Sequence, residues 1–389
     1  MGPAMAPRRT MRLGVYLADQ VWDRTQSKGI YAYSRLLVRQ LAELLREHEL
    51  TLIVNRTNRL DMVPPGHPDA RVVCLPTACA GGVPRLVADH LVGLRVARAH
   101  KLDLLHFPKG FTPLGPAGRT RITATVHDTI PLYYERHYPG YFSSVKLGYL
   151  RAMLRHTLRR AHAIMTDSHF SRTDLLDRAR TWRLAAPPIE VCEPAPDPVL
   201  TAAAEEPGSP RDPTRLLHLG SLLPHKRTRE TLAQFQRFNR REGGRWRLHV
   251  TGLRAAPPSW GLEPGAELRF LGPLPGPALR DELRQARALL LLSSIEGYGL
   301  PALEAWFMGT PVCYAAAGSL PEILAGLPGR CDPVDDAGFD AALREVLDLD
   351  DGERRGIRDA LRRRFGFESF GARVATMFRR WLGAPFVSG

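Results

Sequence analysis

The chain has 389 residues, too many for one ordinary core and suited to two domains of about 190 each, because single cores stop growing near roughly 250–300 residues. Its 44% hydrophobic and 24% charged residues exclude a disordered or low-complexity chain, and its apolar runs, such as Ala288 to Leu292, are far short of the ~20 residues that cross a bilayer. The net charge of +14 is uneven: residues 1–200 carry 28 Lys and Arg against 17 Asp and Glu, or +11, and residues 201–389 carry 26 against 23, or +3. A basic N-terminal half suits an anionic partner, whether acidic lipid headgroups, phosphorylated small molecules or nucleic acid.

The N-terminal stretch MGPAMAPRRTMRLGVYLAD has basic residues but no apolar h-region, so it does not read as a secretory signal. The five cysteines, Cys74, Cys79, Cys192, Cys313 and Cys331, are scattered and lack paired or histidine-linked spacing. They read as reduced cytoplasmic thiols, not metal ligands, and a cytoplasmic location is expected.

From the start, LGVYLAD, LTLIVN, ARVVCL, LDLLHF, RITATVHD and AIMTDS read as strands. The amphipathic segments GIYAYSRLLVRQLAELLREH, RLVADHLVGLRVARAH and SSVKLGYLRAMLRHTLRRAHA lie between them, the alternation of an α/β doubly wound parallel sheet. It breaks at Cys192 to Arg215, which is rich in Pro, Ala and acidic residues and reads as a linker. A second alternation follows through RLLHLGS, RWRLHVTG, AELRFLG, ARALLLLSS and TPVCYAA, ending in helical segments to about Trp381. Two Rossmann-like halves are expected.

In open α/β sheets ligands bind beyond the carboxyl ends of the strands. In the first half, LADQVWDRTQSKGIYAY runs from the first strand through a polar loop to Gly29 at a helix start, and RITATVHDTIPLYY ends a strand in His127-Asp128. In the second half, LLHLGSLLPHKRTRETLAQF puts Gly220 and Ser221 after a strand and His225, Lys226 and Arg227 at the start of a helix, where amides and the Lys226 cation suit a phosphate. SSIEGYGLPALEAWFMGTPV then follows the strand ALLLLSS. Its Gly297 and Gly299 permit a tight turn, Pro301 is expected at the first helical position, and free amides are expected around Tyr298 to Ala302. Glu304 in the first helical turn suits either a ribose diol or the helix dipole, and Glu296 either a ligand beyond the phosphates or plain solvation.

Taken together the motifs resemble a known family. The stretch E-G-Y-G-L-P-A-L-E-A, with seven residues between Glu296 and Glu304, is similar to the signature of retaining GT-B-fold glycosyltransferases, specifically glycosyltransferase family 4 (group 1). TVHDTIPL, TDSHFSRTDLL, LGSLLPHKR, LRFLGPLP, GTPV, AGSLPEI and the DP-x-D of Asp332 to Asp335 accompany it in order. The resemblance implies a GT-B architecture, two Rossmann-like domains facing each other across a cleft. Residues 1–195 would form an acceptor-binding domain, 196–214 a linker and 215–370 a donor-binding domain, with 371–389 a C-terminal helix crossing back to the first domain.

By the same resemblance, Lys226 would contact the diphosphate of a nucleotide-sugar donor, with Ser221, Arg227, Tyr298, Gly299 and Leu300 completing that side. Glu304 would hold the ribose, Ser319 to Glu322 would lie near the base or its ribose, and Glu296 would bind sugar hydroxyls. His127 would be the active-site histidine beside the sugar, with Gly29 and Asp128 on the acceptor side. The implied reaction moves a hexose from GDP-mannose or a UDP-sugar to a hydroxyl of a saccharide, lipid-linked saccharide or small molecule, with no cofactor and no divalent metal. The chain departs from the usual P-R-K-N with Pro224-His225-Lys226-Arg227, which shifts part of the diphosphate charge to Arg227 or His225. It also has CEPAPDP before the linker and only Gly29 in the first loop.

Two other classes remain for comparison. A GT-B-fold epimerase or phosphorylase shares the shape but not the glutamate spacing. A nucleic-acid-binding protein would cluster its basic residues with exposed aromatics or a recognition helix, whereas here they are spread over many helices, so no nucleic-acid partner is expected. Arg151, Arg155 and Arg159 recur at helical spacing beside Leu147, Leu150, Leu154 and Leu158. That pattern fits either peripheral contact with an anionic membrane or leucines packed on the sheet.

Overall fold

The computed structural model describes residues 10–22, 28–66, 70–76, 87–199, 211–262, 265–332 and 335–383. Cys79, residues 200–210 of the expected linker, and residues 333–334 of the DP-x-D stretch lie outside the described residues. The chain divides into two compact units, one of Met1–Asp167, Ser171–Cys192 and Phe370–Gly389, the other of Ser168–Phe170 and Glu193–Ser369.

The first unit holds strands β1 (Arg12–Tyr16), β2 (Glu49–Asn55), β3 (Arg71–Leu75), β4 (Leu104–Phe107), β5 (Arg121–Thr125), β6 (Ala163–Thr166) and β7 (Ile189–Val191). They lie in the order β3-β2-β1-β4-β5-β6-β7, with every described pairing parallel. The central strands are buried end to end, as expected where helices cover both faces of a parallel sheet. β7 follows a Pro-Pro pair and has three residues, too few for a periodic signal, so the sequence reading passed over it.

Helix Phe367–Gly383 places Phe370, Phe378 and Trp381 in the core of this unit. The ring of His106 on β4 lies 5.1 Å from Phe378, and the Arg121 guanidinium donates to the carbonyls of Trp381 and Leu382. These bonds satisfy carbonyls that a helix C-terminus leaves open. Helix Ser144–Arg160 turns Leu154 and Leu158 into a buried cluster with Ile164 and Leu175, while Leu147 and Leu150 are half-buried. Leu154 and Leu158 are thus drawn to the sheet, the packing alternative for this pattern.

The second unit holds β8 (Arg215–Leu219), β9 (Arg247–Thr251), β10 (Leu268–Gly272), β11 (Ala288–Leu291), β12 (Val312–Ala315) and the two-residue β13 (Arg330–Cys331). Their order is β10-β9-β8-β11-β12-β13, again with parallel pairings throughout. The side chains of β11 alternate between two buried clusters: Leu289 and Leu291 enter one, while Ala288 and Leu290 enter the other together with Leu292 just beyond the strand. Successive side chains of a strand point to opposite faces.

Helix Asp351–Phe365 opens with a capping box: Asp350 Oδ1 accepts from the Glu353 N–H at 2.8 Å and Glu353 Oε2 from the Asp350 N–H at 2.9 Å. Asp350→Ala is expected to lower stability by about 1 kcal/mol, measured by chemical denaturation.

Candidate active site

Each sheet reverses its strand order once, between β1 and β4 in the first unit and between β8 and β11 in the second. At such a switch point the connections leave in opposite directions and open a crevice beyond the strand ends.

Beyond β8, Gly220 has no room for a side chain: a Cβ there would lie 2.8 Å from the Thr251 carbonyl oxygen. Ser221 is held locally, its N–H donating to Thr228 Oγ1 at 3.0 Å and its Oγ accepting from the Leu223 N–H at 3.1 Å. The chain then makes a short turn over Pro224–Lys226, and Arg227 takes a left-handed conformation (φ 48°) before helix Thr228–Arg241. A non-glycine residue in that region costs of order 1 kcal/mol or more and persists where the surroundings impose it. The basic residues therefore precede the helix instead of forming its first turn.

Beyond β11, Glu296 is buried, and the Lys226 ammonium donates to both its carboxylate oxygens, at 2.7 and 3.0 Å. Burial alone would raise the Glu296 carboxyl, but the Lys226 charge and hydrogen bond, with Ser293 and His225 nearby, hold it below its ordinary value. The two residues expected on opposite ends of a donor thus touch one another. The Glu296 carbonyl accepts from both the N–H and the Oγ of Ser319. Gly318 (φ 61°) packs so closely on it that a Cβ would lie 2.4 Å from the Glu296 carbonyl oxygen. Ser319, expected near the nucleotide, is fully buried as a brace for Glu296.

His225 corrects a further expectation. It is buried, and burial together with the Lys226 charge lowers its pKa to about 4. That lowering favours a neutral ring at pH 7, which leaves His225 little charge to share with a diphosphate. Arg227 is half-buried and has no carboxylate partner among the described residues, which leaves it as the second cation.

Helix Leu300–Phe307 starts one residue earlier than expected, with Gly299 (φ 96°) as its N-cap. Pro301 therefore occupies the second helical position and Glu304 the fifth, just past the first turn. A side chain at Gly299 would meet Leu320 at 2.6 Å, so only glycine fits both the dihedral and the space. The Ala302 N–H bonds to the Gly299 carbonyl at 2.9 Å, which removes it from the expected set of free amides. The N–H groups of Gly299 and Leu300 have no acceptor among the described residues, the arrangement that favours an anion at a helix N-terminus. Tyr298 turns its ring into the core against Phe365, centroids 6.5 Å apart, and Leu300 is half-buried.

Glu304 is half-buried, and no described residue hydrogen-bonds its carboxyl. Burial and then the charge of Asp197 raise its pKa to about 7. A carboxyl held ready to ionise near neutrality, with open acceptor positions, matches what a pair of donated hydroxyls needs.

In the first unit, His127 follows β5 and is buried. Its Nδ1 lies 2.6 Å from Asp167 Oδ2 and its Nε2 3.0 Å from the Pro108 carbonyl oxygen. Both neighbours are acceptors, an arrangement that favours the imidazolium, in which both ring nitrogens donate. Burial opposes that charge, but Asp167, the Pro108 carbonyl and Asp128 outweigh it and raise the pKa above its ordinary 6.5. Tyr33 packs edge-on at 4.7 Å between centroids.

Asp128 accepts from the Ile130 N–H at 2.9 Å and so shapes the entry to helix Ile130–His137. Gly29 is exposed, and a Cβ there would meet nothing within 4 Å, so no close approach explains it. The sequence reading missed Asp19 and Lys109, an ion pair at 3.0 Å that bridges the segments after β1 and β4, at the switch point itself. It also missed Asp167. The rule that strand ends at a reversal carry ligands could have found Asp19 and Lys109, whereas Asp167 follows β6, away from the reversal.

The profile of the family "Glycosyl transferases group 1" matches residues 201–363, and that of "Glycosyltransferase Family 4" residues 28–198. O-antigen chain mannosyltransferase B of Escherichia coli is 28% identical over 281 residues, 65% of this chain and 67% of that protein. Glycogen synthase of Mycobacterium tuberculosis is 33% identical over 159 residues, 39% of this chain but only 38% of its own length. Among solved structures, Anabaena Alr3699/HepE in complex with UDP and glucose superposes with a TM-score of 0.63 at 16% identity, covering 95% of this chain and 99% of that one. A likeness at that identity establishes the fold, two parallel-sheet Rossmann-like units of the GT-B kind.

Proposed function

The chain belongs to the group 1 glycosyltransferases of family 4, and from that membership we propose that it is a retaining hexosyltransferase. It moves a hexose from GDP-mannose or a UDP-sugar to a hydroxyl of a saccharide, a lipid-linked saccharide or a small molecule. The observation that carries the reading is the Lys226–Glu296 pair beside the open N–H groups of Gly299 and Leu300, at the β8/β11 switch point. The relatives support it: one is named a mannosyltransferase, and one fold neighbour is solved with UDP and glucose.

Cleaving the bond between sugar C1 and phosphate oxygen puts positive charge on the sugar and negative charge on the departing diphosphate. Lys226, Arg227 and the Gly299 and Leu300 amides stabilise the diphosphate, a task for which no metal is needed. Glu296, kept ionised by Lys226, accepts from sugar hydroxyls and faces the developing positive charge. The acceptor oxygen bonds to C1 on the face the phosphate leaves, and its proton passes to the leaving phosphate oxygen, so configuration is retained. Glu304 accepts from the ribose hydroxyls.

A melting-temperature screen with UDP, GDP and ADP should show a clear rise with UDP or GDP, and NMR of the product should show the donor's anomeric configuration; an inverted product sinks the retaining assignment. Ribose binding to Glu304 favours its carboxylate, so affinity for the nucleotide sugar is expected to climb several-fold as pH rises through about 7. Without the ribose the same group works against the fold over that range. Its raised pKa stabilises below the unfolded value of 4.5, and that contribution is lost as pH rises through about 7. Calorimetric titration of wild type and Glu304→Gln at several pH values tests this, and a variant with the same pH dependence counts against the role.

A further inference from the structure

The outward face of helix Ser144–Arg160 borders a cavity of about 760 Å³ lined by Leu114, Arg151, Arg155, His156, Arg159 and Arg160, with Gly148 and Ala152 as its small residues. No carboxylate lines it. Arg151 is paired with Glu135, and the Arg155 guanidinium stacks on the Trp182 ring at 5.5 Å. Arg159 and Arg160 have neither a hydrogen bond nor an ion pair among the described residues. His156 is anchored, its Nε2 donating to the Pro113 carbonyl at 2.9 Å, which ties the segment carrying Leu114 to the helix.

Several guanidinium groups turned into one concavity repel each other unless a shared anion joins them, and the guanidinium fork matches phosphate oxygens in pairs. The stacking of Arg155 on Trp182 holds one fork in place at little further cost in entropy. Leu114 of the lining is 55% exposed, and Val145 and Tyr149, 84% and 40% exposed, extend an apolar edge along the helix face of Gly148 and Ala152. Nothing in the proposed transfer reaction uses this cavity.

We propose that this cavity binds a phosphate-bearing ligand, a phosphate monoester or diester whose apolar remainder lies on the Leu114, Val145 and Tyr149 edge. The phosphate comes either on a soluble molecule or on a lipid headgroup, and the two sources separate experimentally. The full-length protein is titrated with inorganic pyrophosphate while the Trp182 indole resonance, assigned with Trp182→Phe, reports on this cavity and not on Lys226. In parallel it is sedimented with phosphatidylcholine vesicles with and without phosphatidic acid. The Trp182 resonance should move with pyrophosphate, or the protein should sediment only with the acidic vesicles. The Arg155→Glu/Arg159→Glu variant should weaken whichever response occurs by about tenfold or more. Arg159→Glu/Arg160→Glu, which leaves the Trp182 stack intact, should do the same if the first variant does not fold. A resonance shift alone assigns a soluble ligand, and sedimentation alone a headgroup. Absence of both responses, or responses that survive charge reversal, overturns the proposal.

Discussion

Lys226→Ala should lower kcat/KM by about 10²–10³-fold, the range found when one preorganised donor to a developing anion is removed, and should also destabilise the second unit at neutral pH. The second effect follows from the geometry. Lys226 is the cation on a carboxylate that is 6% exposed, and removing one partner of such a pair leaves a buried charge that costs about 3–5 kcal/mol. Glu296 is held below its ordinary 4.5, so in the wild type its contribution is present above that value and is lost as pH falls through the lower, folded value. The variant lacks that contribution and should approach wild-type stability in acid. Adding Glu296→Gln to Lys226→Ala should restore stability at neutral pH without restoring transfer. Denaturation curves and initial rates for the two single variants and the double variant decide it. Near-normal turnover in Lys226→Ala would sink the site assignment, and additive stability losses would sink the pairing.

The second large effect is expected at His127. Asp167 is the counter-charge of a buried imidazolium, so Asp167→Asn should cost about 3 kcal/mol below neutral pH. The His127 pKa is raised above 6.5. Its stabilising contribution is therefore complete below 6.5 and disappears as pH rises through the raised folded value. The gap between wild type and Asp167→Asn should narrow as pH rises from 6.5 through the raised folded value, where the wild-type ring loses its proton. Chemical denaturation across that range, with the His127 ring followed by NMR, tests it. An equal gap at all pH values would show that Asp167 acts only through packing. Both ring nitrogens of His127 are taken up by Asp167 and the Pro108 carbonyl, so a part for it in the proposed transfer would be electrostatic, not proton abstraction.

Much of this was legible in the residues. Buried strands of a parallel sheet are short apolar runs, and the succession of such runs between amphipathic segments was enough to give two Rossmann-like halves. β7 and β13 escaped because three and two residues carry no period. The glutamate spacing and the P-H-K-R turn were visible as a pattern, but their mutual contact was not, since Lys226 and Glu296 are 70 residues apart. Motif stretches do not report side-chain packing either: burial lowers the pKa of His225, and packing sends the Tyr298 ring into the core.

The sequence by itself therefore determined what depends on local pattern: the alternation of elements, the glycine at Gly299 that a tight turn requires, and the residue types suited to a nucleotide sugar. Tertiary structure alone decided what depends on distance and dielectric. It placed Asp19 against Lys109 and Asp167 against His127, put Lys226 on Glu296, and raised Glu304 to about 7. Charge state is set by burial and by neighbours remote in the chain, and neither is written in the spacing of a motif.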